Sequence, residues 1–187
     1  MITSTLRLYC SGIQSLVAFI GKGISVLMPM IALVIAFEVF ARYFLNKPTI
    51  WAYDLSLFLS AYLAALGGAY AQQRRAHINV DILYIAVSAN VKRVFNLLSG
   101  SLAIFFMGVV IFASYQKFGE AMQFNYRRMS EWAPPMHHFW MMLIVAASML
   151  ILQITSDMMK DIYHLITGRD LMPQADEDAE AEDVNGN

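Results

Sequence analysis

Charge is what this sequence has least of. Lysine, arginine, aspartate and glutamate make up only 14% of its 187 residues, against 58% apolar, and the mean hydropathy is +0.52. Soluble domains carry about a quarter charged residues, so a chain folded in water is excluded and an apolar solvent is implied. Cysteine is nearly absent. The one at Cys10 permits no internal disulfide and leaves the redox compartment open. There is no phosphate-cradling glycine loop, no nucleophile with a base at usable spacing, and no basic patch, which removes catalytic and nucleic-acid-binding readings. None of the four histidines falls mid-span, which speaks against axial haem ligation within a helix bundle. A small-residue cleavage site is also missing behind the first apolar stretch, so the N-terminus reads as retained rather than as a removed signal peptide.

What the sequence does have is apolar length. A bilayer core is about 30 Å thick and takes roughly 20 apolar residues of helix. Four windows qualify: 24–44, 50–71, 94–115 and 136–156. In lipid every backbone amide needs a partner within its own segment, so these are helices. The fold expected is an all-α integral membrane protein of four transmembrane helices with interfacial amphipathic helices. Pro48 ends the short turn between the first two spans and makes them a hairpin. With the N-terminus inside, eight Lys and Arg lie on the cytoplasmic side (Arg7, Lys22, Arg74, Arg75, Lys92, Arg93, Lys160, Arg169) and five outside (Arg42, Lys47, Lys117, Arg127, Arg128). That bias puts both termini in the cytoplasm.

The remainder divides around this core. Residues 1–23 form an N-terminal amphipathic segment in which Leu6, Tyr9, Ile13, Leu16 and Ile20 step by three and four. It is either a surface helix or an extension of the first span. Residues 24–156 are the transmembrane domain and 157–172 the cytoplasmic end of the last helix. Segments 78–89 and 118–132 read as interfacial, the second stopped by Pro134 and Pro135. Six of the fourteen acids crowd between Asp176 and Asp183, so 173–187 is expected to be a disordered acidic tail.

Charged residues inside spans are functional candidates by default. Glu38 and Arg42 are one helical turn apart and able to pair. Arg42 is also within reach of Asp54 across the short hairpin, and Asp54 in the first turn of the second span suits the helix dipole. Trp51 and Tyr53 fit the aromatic belt at that depth. These residues read as a knot that sets the hairpin, with a proton or cation site on Glu38 as the functional alternative. In the second span Ser60, Ala64 and Gly68 recur every four residues beside Gly67, a spacing that lets another backbone approach closely, either from this chain or from another. His77 and Asp81 are four apart, but a metal site needs three or four ligands and no third is near. Neither a metal nor a cofactor is expected.

The stretch from Phe40 to Leu83 resembles the small membrane subunit, the DctQ-like family, of tripartite ATP-independent periplasmic (TRAP) transporters. The likeness rests on Arg42-Tyr43, Trp51 followed by Asp54 (often Glu in the family), Gly67-Gly68-Ala69, and His77 with Asp81 in the run to Leu83. The resemblance implies a non-catalytic subunit of a sodium-coupled importer of small carboxylates in a bacterial inner membrane. It implies a large DctM-type transmembrane partner that holds the transport sites, a periplasmic substrate-binding protein, and lipid around the rest. Arg127 and Arg128, on the outer side, are then candidates for contact with the binding protein. A stand-alone, proton-coupled four-helix exporter built on Glu38 is the competing reading. A membrane anchor of a redox enzyme is a third, weakened by the placement of the histidines.

Overall fold

The computed structural model describes residues 2–74, 89–168 and 171. His77, Asp81, nearly all of the interfacial segment expected at 78–89, and the acidic tail lie outside them. Five helices make up the described chain: α1 Ile2–Ser25, α2 Leu27–Tyr43, α3 Ala52–Gln73, α4 Ala89–Gln123 and α5 His137–Thr167. Four helical stretches are long and apolar enough to cross a membrane, the first being the combined run Thr3–Tyr43.

The N-terminal segment therefore runs on into the first span. The only interruption is at Val26, where Pro29 offers no N–H to the Ser25 carbonyl one turn earlier, and Met30 bonds Val26 weakly at 3.4 Å. Cys10, Ile13, Val17, Gly21 and Ile24 are buried against α3 and α5. Leu16 and Tyr9, expected on the apolar face, are exposed. Packing here turns on close approach: a Cβ added at Gly21 would run into the base of the Tyr70 side chain.

A short turn joins α2 to α3. Asn46 takes a left-handed conformation, as asparagine does more readily than most residues, and the chain folds back so that the Lys47 N–H reaches the Ala41 carbonyl at 3.0 Å. At its far end α4 closes in the same way: Asn125 is left-handed and the Tyr126 N–H bonds the Ala121 carbonyl at 3.1 Å. The segment 118–132, read as interfacial, is not one element. Its first part continues α4, because nothing breaks the helix before Asn125. The rest is a folded loop, pinned by a bridge between Arg127 and Pro135.

The helices pack as an open row, α2 on α3, α3 on α5 and α5 on α4, with α1 laid against α3 and α5. The two ends of the row, α2 and α4, share no packed interface. Their apolar side chains point away from the protein: Leu33 and Leu102 are each 70% exposed. In water that would be untenable; in lipid, or against a second membrane protein, it is the expected surface. The 44–51 turn and the 124–136 loop meet at one end of the row, the turn end. The start of α1 and the last turns of α5 meet at the opposite, terminal end, where Cys10 touches Ser156 and Arg93 pairs with Asp161 at 3.1 Å.

Candidate functional site

The turn end holds two carboxylates, and each is tied down by a different neighbour. Glu38, on the last turns of α2, has both oxygens occupied. Oε1 accepts from Arg42 Nε at 3.0 Å and Nη2 at 2.5 Å. Oε2 accepts the Thr49 backbone N–H at 3.0 Å and the Thr49 hydroxyl. The carboxylate thus fastens the turn back onto the helix that precedes it. Phe37 stacks on Trp51 at 6.1 Å and closes the same junction on its apolar side. With both oxygens engaged at the hairpin, the geometry is that of a clamp.

Asp54 is 1% exposed. Its partner is not Arg42, as the short hairpin invites one to expect, but Arg128 in the 124–136 loop, with Nε 2.9 Å from Oδ1. The physical reason lies in distance along the helix: Glu38 sits one turn from Arg42 on the same face and captures it. The Arg128–Oδ1 contact is an ion pair without good hydrogen-bond angles. Oδ2 accepts from the Ser130 hydroxyl, which in turn accepts the Ala133 N–H at 3.2 Å. Arg128 also lies over the rings of Tyr53 and Phe58, at 6.0 and 5.9 Å. One acid at the start of α3 therefore organises the whole loop between α4 and α5. Arg127 points elsewhere. It is exposed and donates to the nearby Ala133 carbonyl at 3.2 Å.

Beside this node, between α3 and α5, is a mostly apolar cleft of about 390 Å³ lined by Leu57, Phe58, Ser60, Ala61, Arg128 and Met136 together with Phe139. Deeper in the same interface the Tyr62 hydroxyl meets His138 Nδ1, and Phe58 contacts the His138 ring edge-on at 4.9 Å. Sequence reasoning placed His138 at the outer end of its span and gave it no partner. Tyr62 lies midway along α3 in an unbroken apolar run, and no periodicity marks it.

The remaining candidates on α3 are less buried. Asp54, Phe58 and Ala69 point into the row and are buried, whereas Ser60 and Ala64 are exposed. A Cβ built on Gly67 or Gly68 would meet nothing within 4 Å. The row thus has room at Gly67 and Gly68, and its Ser60 end borders the α3–α5 cleft. No group of three or more His, Cys, Asp or Glu side chains among the described residues is placed to hold a metal ion.

Comparison with known families gives a match. The model for "Tripartite ATP-independent periplasmic transporters, DctQ component" aligns with residues 31–163, which takes in α3, α4 and most of α2 and α5. No curated protein matches the chain.

Proposed function

Since the chain belongs to the DctQ component family of tripartite ATP-independent periplasmic transporters, we propose that it is the non-catalytic scaffold subunit of a sodium-coupled importer of a small carboxylate. In this reading a large DctM-type subunit carries the substrate and sodium sites and a periplasmic binding protein delivers the substrate. The chain sits in a bacterial inner membrane with both termini cytoplasmic, so the turn end faces the periplasm. The eight-to-five charge bias supports that orientation.

The observation that carries the proposal is the small-residue row on α3, where Ser60 and Ala64 are exposed and a Cβ added at Gly68 would meet nothing within 4 Å. Lipid tails gain nothing special from small residues, but a neighbouring helix does, because backbones then approach closely and dispersion contacts multiply. The open row of helices supports the same view, since it leaves α2, α3 and α4 free to lie along a larger membrane subunit. At the turn end, Arg127 and the fully exposed Met129 are the side chains offered outward to a binding protein. Arg128 is instead spent on Asp54.

The test is reconstitution. The chain alone in proteoliposomes should take up no substrate under a sodium gradient. Together with the large subunit and binding protein from the same operon it should support uptake, and tagged chain should retain the large subunit through purification. Uptake driven by this chain alone would overturn the reading.

A further inference from the structure

The cleft between α3 and α5 has the polarity of an amphiphile, with a cation at one end and apolar walls beneath it. α3 is 22 residues long, about 33 Å of helix, so its ends lie near the two edges of a hydrocarbon layer of about 30 Å. Asp54, in the first turn, and its partner Arg128 are therefore at headgroup depth. Leu57 and Phe58 line the cleft one turn deeper, and Ser60 and Ala61 nearly a turn deeper again. On the facing side Met136 stands where α5 begins, and Phe139 is almost a turn within it. Printed in distances, the two levels are continuous: the Arg128 guanidinium is 5.9 Å from the Phe58 ring, and Phe58 is 6.0 Å from the ring of Phe139.

The mouth of the cleft presents positive charge. Asp54 is 1% exposed and the Arg128 side chain 29%, so the guanidinium and not the carboxylate meets the surroundings. Asp54 takes its Nε, and no other acceptor among the described residues engages it. The Nη nitrogens are then placed to donate to a second oxyanion. α5 starts beside them with no side-chain cap and no acid in its first turn, and the positive end of its dipole adds to the same mouth. Arg127 and Glu131, both exposed in the same loop, carry opposite charges and leave that balance unchanged.

The cleft volume of about 390 Å³ is in the lower range of small-ligand sites. A small soluble carboxylate would satisfy the arginine and leave the apolar walls uncovered. An apolar helix from another subunit would cover the walls and leave the arginine without an anion. A phospholipid does both, because its phosphate and acyl chain are joined in the same order as the cation and the walls. We infer that this cleft holds one membrane phospholipid, its phosphate on Arg128 and one acyl chain between Phe58, Ala61 and Phe139.

The test is native mass spectrometry of the delipidated full-length chain in detergent. It is titrated with dioleoyl phosphatidylglycerol, or with dioleoylglycerol, which has the same chains and no phosphate. The phospholipid should bind one per chain, roughly tenfold more tightly than the diacylglycerol. Equal binding of the two would overturn the proposal without recourse to any variant. Ala61→Phe fills the cleft and should weaken phospholipid binding by roughly tenfold or more. Asp54→Asn combined with Arg128→Gln removes both charges and strands neither, and should bring the phospholipid down to the level of the diacylglycerol. Phospholipid binding unchanged in both variants would mean loosely held surface lipid and would sink the site. In the assembled transporter, a photo-cross-linking residue at Leu57, which lines the cleft and is 41% exposed, should capture phospholipid. Capture of the large subunit in its place would assign the cleft to a helix of that subunit and overturn the proposal.

Discussion

Asp54 and Arg128 form a buried ion pair between the first turn of α3 and the loop that links α4 to α5, 2.9 Å from Nε to Oδ1. The acid is almost wholly withdrawn from solvent, and the arginine side chain is 29% exposed. Breaking such a pair from one side costs about 3–5 kcal/mol when both charges are buried. Partial exposure relieves a stranded arginine but not a stranded aspartate. Arg128→Ala should therefore destabilise more than Asp54→Ala, by about 2–4 against 1–2 kcal/mol. In a double-mutant cycle the double change should cost less than the two single changes added. Equal and additive losses would mean that the pair is not coupled.

Glu38 gives a second, sharper test, because it separates the scaffold reading from a proton-coupled exporter. As a clamp it is needed for its hydrogen bonds to Thr49 and Arg42. Glu38→Gln keeps an acceptor for the Thr49 N–H and should lower stability by about 1 kcal/mol, with Glu38→Ala costing more. Uptake by the reconstituted transporter should fall only in step with the amount of assembled complex. If Glu38→Gln leaves assembly intact and abolishes uptake, the carboxylate carries a proton or ion and the clamp is secondary.

Hydropathy and helix length made the four spans, the first hairpin and the Glu38–Arg42 pair readable, because each depends on residues close in sequence. The partner of Asp54 was not readable. Its Ser130 contact spans 76 residues, and local reasoning offered Arg42 simply because it was nearer. The same limit hid the contact between Tyr62 and His138. The face of α1 was misjudged for another reason. Counting bulky apolar residues favoured Leu16 and Tyr9, yet the packed side is made by Cys10, Val17 and Gly21, where small size admits a neighbouring helix. The outward direction of Ser60, Ala64 and Gly68 was also undecidable from spacing, since the rule for small residues holds equally within and between chains.

Orientation is checked by labelling. In a chain with Cys10→Ala, a cysteine at Lys47 on the exposed turn between α2 and α3 should react with an impermeant maleimide added to intact spheroplasts. One at Ser4, exposed near the start of α1, should react only after permeabilisation. The reverse pattern would invert the topology and move the turn end, with Asp54 and Arg128, to the cytoplasm.

Two glycines on facing helices should fail in opposite ways. Gly21 lies where a Cβ would overlap the base of Tyr70, so Gly21→Ala forces α1 and α3 apart inside the chain itself. Overpacking of that kind costs about 1–3 kcal/mol, and it should appear as a lower melting temperature of the isolated subunit. Gly68 has nothing within 4 Å of an added Cβ. Gly68→Leu should leave the isolated subunit as stable as before, or slightly more so, because glycine is a poor helix former. Its effect should appear only when the large subunit is present: less co-purification, and uptake reduced in proportion. Ser60→Leu, two turns away on the same outward row, should behave like Gly68→Leu and not like Gly21→Ala. If Gly68→Leu and Ser60→Leu leave co-purification and uptake unchanged, that row faces lipid, and the partner binds along α2 or α4 instead. If Gly68→Leu already destabilises the subunit alone, the open face is in use within the chain, and the scaffold surface proposed here is the wrong one.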